Sequence, residues 1–151
     1  MNLNDLLKIV GSKIDIPGVV IKFSQRNHLQ LIKSWLQSVQ PQNIQEVNEA
    51  LNDLYIEDND YESLKKSIVQ FNLFDQISLA RRLSTNECLE FRRIGAFIYR
   101  EQGRFSEAIE LSKRDSFFKD AIETASQSRD QEIAEDLLRY FCDENDNFAC
   151  F

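Results

Sequence analysis

The sequence predicts an all-α chain: an α-solenoid of stacked antiparallel helical hairpins, with about ten helices. Three observations carry this. Apolar residues recur at helical spacing through nearly all of the 151 residues. Only 4 Gly and 2 Pro interrupt them, too few for a turn-dense all-β fold. The segments between apolar stripes are a few residues long, and short links make consecutive helices antiparallel neighbours. The chain is 42% hydrophobic and 11% aromatic, so it can bury enough surface to offset its ordering entropy.

Each element follows from its stripe. Leu3, Leu6, Leu7 and Val10 make the first helix, and Ile16, Val19, Val20 and Phe23 the second. The β-branched run Val19-Val20-Ile21 lies inside a helical period and does not read as a strand. Leu29, Ile32, Leu36 and Val39 place a third helix, and Ile44, Val47, Leu51, Leu54 and Tyr55 a fourth. Tyr61 to Phe71, Phe74 to Leu83 and Phe91 to Tyr99 give three more. Phe105 to Ser112, Phe118 to Ala125 and Ile133 to Phe141 close the series.

Helix-ending chemistry falls between the stripes. Gly11 and Gly103 suit the left-handed position after a helix. Pro41 cannot continue the helix before it, and Pro17 with Asp15 upstream suits a first turn. Asn59-Asp60 and Asp75 are expected N-caps, and Ser128 with Gln131 has capping-box spacing.

A repeat favours stacking over a globule. Glu107-Ala108-Ile109-Glu110 returns 13 residues on as Asp120-Ala121-Ile122-Glu123, and Ala134 lies another 13 on. A small residue at the same place in successive helices lets their backbones approach closely, and two such half-repeats make a hairpin of a length common in helical arrays.

The charge balance is 18 basic against 25 acidic residues, a net charge of −7, which disfavours nucleic acid as a partner. The charge is banded. Residues 1–39 and 81–104 are net basic, and residues 40–80 and 105–151 are net acidic. No apolar run approaches the length that spans a bilayer. The amino terminus, with Asn2, Asn4 and Asp5, does not read as a signal peptide. Cys88, Cys142 and Cys150 are odd in number and widely spaced, which fits free thiols in a reducing, cytoplasmic setting.

Little chemistry is on offer. His28 is the one histidine and reads as a partly exposed structural residue. Cys142 and Cys150 lack a second pair for zinc. Asp143, Glu144 and Asp146 lack the Gly and Glu of a calcium loop. No catalytic residue, cofactor site or metal site is assigned. Trp35 reads as core between hairpins or, failing that, as an exposed contact. The best surface feature is the pair of doublets Arg81-Arg82 and Arg92-Arg93. They either pair with Glu87, Glu90 and Glu101 or form a basic docking site for an acidic partner.

Several separated stretches also carry a resemblance. VNEALNDLYIEDNDYESLKKSI (47–68), FDQISLARRL (74–83), LEFRRIGAFIYR (89–100), KRDSFFKDAIETAS (113–126) and AEDLLRYF (134–141) resemble, in order and spacing, the proximal leg of the clathrin heavy chain. The resemblance implies that residues 1–151 are one segment of clathrin heavy-chain repeats, a tetratricopeptide-like piece of a longer chain. Residues 135–151 would begin the trimerisation region. It implies a structural rod and no enzyme, in the coat of transport vesicles on coated pits and in endocytosis. The partners implied are the clathrin light chain and other heavy chains, with no membrane insertion. The alternative is a helical-repeat subunit of another trafficking or tethering complex.

Overall fold

A computed structural model describes residues 2–11 and 14–143. Those residues form ten α-helices and two short 3₁₀ segments, with no strand among them. The chain divides after Asp75 into two compact units.

The first unit contains α1 (Leu3–Val10), α2 (Ile16–Gln25), α3 (Lys33–Val39), α4 (Gln45–Glu57) and α5 (Tyr61–Gln70). α1 starts on a capping box: Asn2 Oδ1 accepts from the Asp5 amide, and the Asp5 carboxylate accepts from the Asn2 amide. α2 takes Pro17 in its first turn, as its fixed φ favours. The stripe expected to make one helix from Leu29 to Val39 is divided. Leu29–Ile32 is a 3₁₀ turn and only Lys33–Val39 is α-helical. No side chain caps that start, so the tighter turn satisfies the first amides instead. Pro41 ends α3 and sits in the 3₁₀ turn Gln40–Gln42. Asp60 caps α5 by accepting from the Ser63 amide, as its position suggested.

α4 is the hub of this unit and packs against α2, α3 and α5. Ile32, Leu36, Val47, Leu51 and Leu64 are fully buried at these contacts. A buried polar network lies beside them. Gln40 Nε2 donates to Ser67 Oγ at 2.8 Å and Asn48 Oδ1 at 3.3 Å. Asn48 Nδ2 donates to Asn43 Oδ1 at 2.8 Å and to the Leu73 carbonyl at 3.1 Å. Each member has a partner, so burial leaves no donor stranded.

The second unit contains α6 (Gln76–Ser84), α7 (Leu89–Glu101), α8 (Phe105–Arg114), α9 (Phe118–Ser128) and α10 (Gln131–Asp143). Each helix packs against the next in sequence. Side chains also reach the next helix but one. Arg114 of α8 donates to the Ser84 carbonyl of α6 at 2.7 Å. Lys113 of α8 lies 4.4 Å from the Tyr140 ring centre of α10. The 13-residue spacing has its structural counterpart here. Ala108 and Ala121 are buried at successive helix contacts and Ala134 is half-buried. Ala121 joins Ile109, Ala125 and Leu137 in one apolar cluster.

The same spacing marks the turns. Gly103, Ser116 and Arg129 all have positive φ, at 76°, 61° and 54°. At the first two, the following amide reaches back five residues, Arg104 to the Tyr99 carbonyl and Phe117 to the Ser112 carbonyl, each at 2.8 Å. These are Schellman turns, and they satisfy the last carbonyls of α7 and α8. Asn27 and Asn59 close α2 and α4 in the same way. Ser128 is not the N-cap of α10. It ends α9, donating to the Ala125 carbonyl. Asp130 caps instead, accepting from the Glu132 and Ile133 amides. The left-handed Arg129 places the chain two residues later than the Ser-x-x-Gln spacing suggests. Of the segment 135–151, residues 144–151 lie outside the described residues, as do Glu144, Asp146 and Cys150 of the weighed metal loops.

Candidate functional site

The two arginine doublets sit on adjacent packed helices, Arg81 and Arg82 near the end of α6, Arg92 and Arg93 in the first half of α7. Gly95 lets these helices close. A β-carbon there would stand 3.2 Å from the Ala80 carbonyl oxygen and Leu83 Cβ, and 3.3 Å from the Ser84 nitrogen. The segment Ala80–Ser84 of α6 therefore lies directly against α7, two to three residues from the second doublet.

The doublets differ in what they hold. Arg92 Nε donates to Asp115 Oδ2 at 2.9 Å, and its Nη1 donates to the Asn86 and Glu87 carbonyls. Arg93 grips Asp120 with two bonds, at 2.7 and 3.0 Å, and its guanidinium lies 4.9 Å from the Phe117 ring centre. The hydrogen bond to Asp115 raises the Arg92 pKa further above its ordinary value, and Asp120 does the same for Arg93. Both side chains thus brace α7 to the α8–α9 turn and to α9. Sequence had offered Glu87, Glu90 and Glu101 as ion-pair partners. Arg92 and Arg93 choose Asp115 and Asp120 instead, and Glu101 lies 3.6 Å from Arg100. Arg81 and Arg82 are exposed on α6.

Sequence reasoning missed Arg100, Lys113 and Arg114. Arg100 lies seven residues after Arg93, on the same helix face. It lies 4.0 Å from Glu123 and 5.3 Å from the Phe97 ring centre. Lys113 and Arg114 fill the last turn of α8, where cations favour the helix dipole. With Ser84, Tyr99, Glu110 and Tyr140 they line an open groove on this unit. Trp35 is buried, and its amide donates to Asn4 Oδ1 at 2.8 Å, so it packs as core. His28 is exposed at the turn after α2. Among the described residues no group of three or more His, Cys, Asp or Glu could hold a metal ion. No helix there is long and apolar enough to cross a membrane.

Comparison with known proteins bears on the whole length. A model of the clathrin family, described as a region in clathrin and VPS, matches residues 7–148. The chain is 46% identical over 147 residues, 97% of its length, to the clathrin heavy chain of Dictyostelium discoideum. It is 45% identical over 149 residues, 99% of its length, to clathrin heavy chain 1 of Oryza sativa subsp. japonica. It is 41% identical over 149 residues, again 99% of its length, to clathrin heavy chain 2 of Homo sapiens. The chain spans 9% of the length of each of these relatives. In the second unit the helices pack in sequence order and side chains bridge to the next helix but one, and with a family match over residues 7–148 this leads to one assignment: the chain belongs to the clathrin family and is similar to a segment of the clathrin heavy chain.

Proposed function

We propose that the chain is a structural segment of the clathrin coat on transport vesicles, packing against other heavy-chain legs and carrying a light chain. The observation behind this is the identity of 40–49% along 97–100% of the chain to clathrin heavy chains of slime mould, plants, fission yeast and animals. The side-chain chemistry fits a scaffold. The ion pairs of Arg92 with Asp115 and of Arg93 with Asp120 tie α7 to the elements after it, and the buried polar network joins α4, α5 and the turn before them. On this reading the protein works at the cytoplasmic face of coated pits and vesicles without entering the membrane. On this reading residues 135–151 begin the trimerisation region. The exposed Arg81 and Arg82, with the outer edges of Arg92 and Arg93, form a basic band that draws in an acidic partner by long-range attraction.

The shared family region in VPS proteins supports a second reading, a subunit of another trafficking or tethering complex. Identity to clathrin heavy chains along nearly the full chain favours the first.

The test is binding of the chain to immobilised clathrin light chain at two salt concentrations. The expected result is capture whose association slows as salt rises, because exposed charges are screened beyond about 8–10 Å at physiological ionic strength. Reversal of Arg81, Arg82, Arg92 and Arg93 to Glu slows association in the same way once circular dichroism confirms the fold, and reversal of Arg81 and Arg82 alone spares the bonds that Arg92 and Arg93 make to Asp115 and Asp120. No capture, together with failure to join heavy chains in an assembling lattice, overturns the coat reading. Capture that survives both salt and charge reversal removes the basic band from the mechanism.

A further inference from the structure

We propose that Ser84 is a phosphorylation site, read through Arg81 and Arg82 by a basophilic serine kinase. The sequence Arg81-Arg82-Leu83-Ser84 places two guanidiniums three and two residues before a hydroxyl. Kinases that select by charge pattern read such arginines with acidic subsites, and a guanidinium–carboxylate pair is among the strongest polar contacts available. Both arginines are exposed and Ser84 is half-buried at the last residue of α6.

The surroundings of Ser84 give the modification a consequence. Its hydroxyl donates to the Arg81 carbonyl at 2.7 Å, satisfying one of the carbonyls left open at a helix end. Its own carbonyl accepts from Arg114 Nη2 of α8 at 2.7 Å. Its nitrogen faces Gly95 of α7. One residue thus ties α6 to both following helices, beside a groove whose wall includes Lys113 and Arg114.

In the transfer, Ser84 Oγ bonds to the γ-phosphorus of a nucleoside triphosphate. The bond from that phosphorus to the β,γ-bridging oxygen breaks, the nucleoside diphosphate leaves with the electron pair, and the hydroxyl proton goes to a carboxylate of the kinase. The added phosphate removes the hydroxyl donor from the Arg81 carbonyl. It puts a dianion at a helix C-terminus, where the dipole disfavours it, and offers Arg114 and Lys113 a stronger acceptor than the Ser84 carbonyl. The last turn of α6 is thereby unlocked and Arg114 is drawn from backbone to phosphate.

Leu83 is fully buried, so a kinase reaches Ser84 only when this last turn opens, and Arg114 is the latch that opposes opening. The experiment incubates the chain with a basophilic serine/threonine kinase, ATP and magnesium, and locates phosphate by mass spectrometry. Phosphate is expected on Ser84. Arg81→Gln with Arg82→Gln slows transfer by about tenfold or more, the scale of losing a charged hydrogen bond. Arg81→Gln alone serves if circular dichroism shows the double variant losing helix. Arg114→Gln speeds transfer. Phosphate on Thr85 instead, or none on the chain while a peptide of residues 76–90 is modified, overturns the proposal. So do rates indifferent to the arginine substitutions, and an Arg114→Gln rate no faster than wild type removes the latch.

Discussion

Gly95 of α7 faces Ala80 of α6 so closely that a β-carbon on it would lie 3.2 Å from the Ala80 carbonyl oxygen. The obstacle is backbone and cannot swing aside as a long side chain would. Gly95→Leu is therefore expected to overpack the contact and lower stability by about 1–3 kcal/mol. Urea denaturation followed by circular dichroism measures the change.

Ala121 is fully buried in the cluster with Ile109, Ala125 and Leu137. Ala121→Leu should cost about 1–3 kcal/mol for the same reason. An unaltered denaturation midpoint would place Ala121 off the helix contact and break the 13-residue register.

Arg93 and Asp120 lie 27 residues apart and share two hydrogen bonds. Arg93 is half exposed, with a side-chain accessibility of 51%, so solvent screens the pair. A double-mutant cycle with Arg93→Gln and Asp120→Asn should return a coupling of about 0.5–1 kcal/mol that shrinks with added salt. A coupling near zero at low salt would make the pair ornamental.

Acid should weaken the first unit. Hydrogen bonding to Lys33, with help from Gln30, holds Asp58 below the ordinary aspartate value of 3.8. The Ser63 hydroxyl and amide do the same for Asp60. Both carboxylates have folded values lower than their unfolded ones. Their contribution is complete above the ordinary value and is lost as pH falls through the lowered folded values. Hydrogen exchange on Asp58→Asn with Asp60→Asn should show a flatter acid dependence in α5 than wild type.

Arg129 and Ser116 hold left-handed backbone without being glycine. An L-residue there is strained by roughly 1–2 kcal/mol, partly offset because glycine is more disordered when unfolded. Arg129→Gly and Ser116→Gly should each raise stability by about 0.5–1 kcal/mol, readable as a higher melting temperature.

The ten helices were legible because each buries one face, and that leaves a 3.6-residue stripe whatever its neighbours are. Gly11 and Gly103 were legible as helix ends because both hold positive φ, which favours glycine, although Gly11, with ψ at −137°, is not in the left-handed helical conformation expected of it. Asn27, Asn43 and Asn59 carry a weaker form of that signal, since asparagine tolerates the same region. Ser116 and Arg129 carry none of their own. Only their distance of 13 and 26 residues from Gly103 marks them. The partners of Arg92 and Arg93 were hidden for another reason. Sequence spacing exposes neighbours one turn away on the same helix, such as Glu90, but not Asp115 at the end of the next helix or Asp120 on the helix after that. The division of the stripe at Leu29–Ile32 was equally unreadable, because a 3₁₀ turn and an α-helical turn space their apolar residues alike over so short a run.

The packing of α6 on α7, α7 on α8 and α8 on α9 keeps partners near each other along the chain. Even the bonds that skip a helix, Arg114 to Ser84 and Arg93 to Asp120, close loops of 30 and 27 residues. Short loops cost little entropy to close, so this topology belongs to the fast-folding, low contact-order kind. A ribosome releasing such a chain need not finish it before order begins. Within the second unit each helix from α7 on can settle on the one before it as it emerges, and the apolar faces spend little time open to the wrong neighbour.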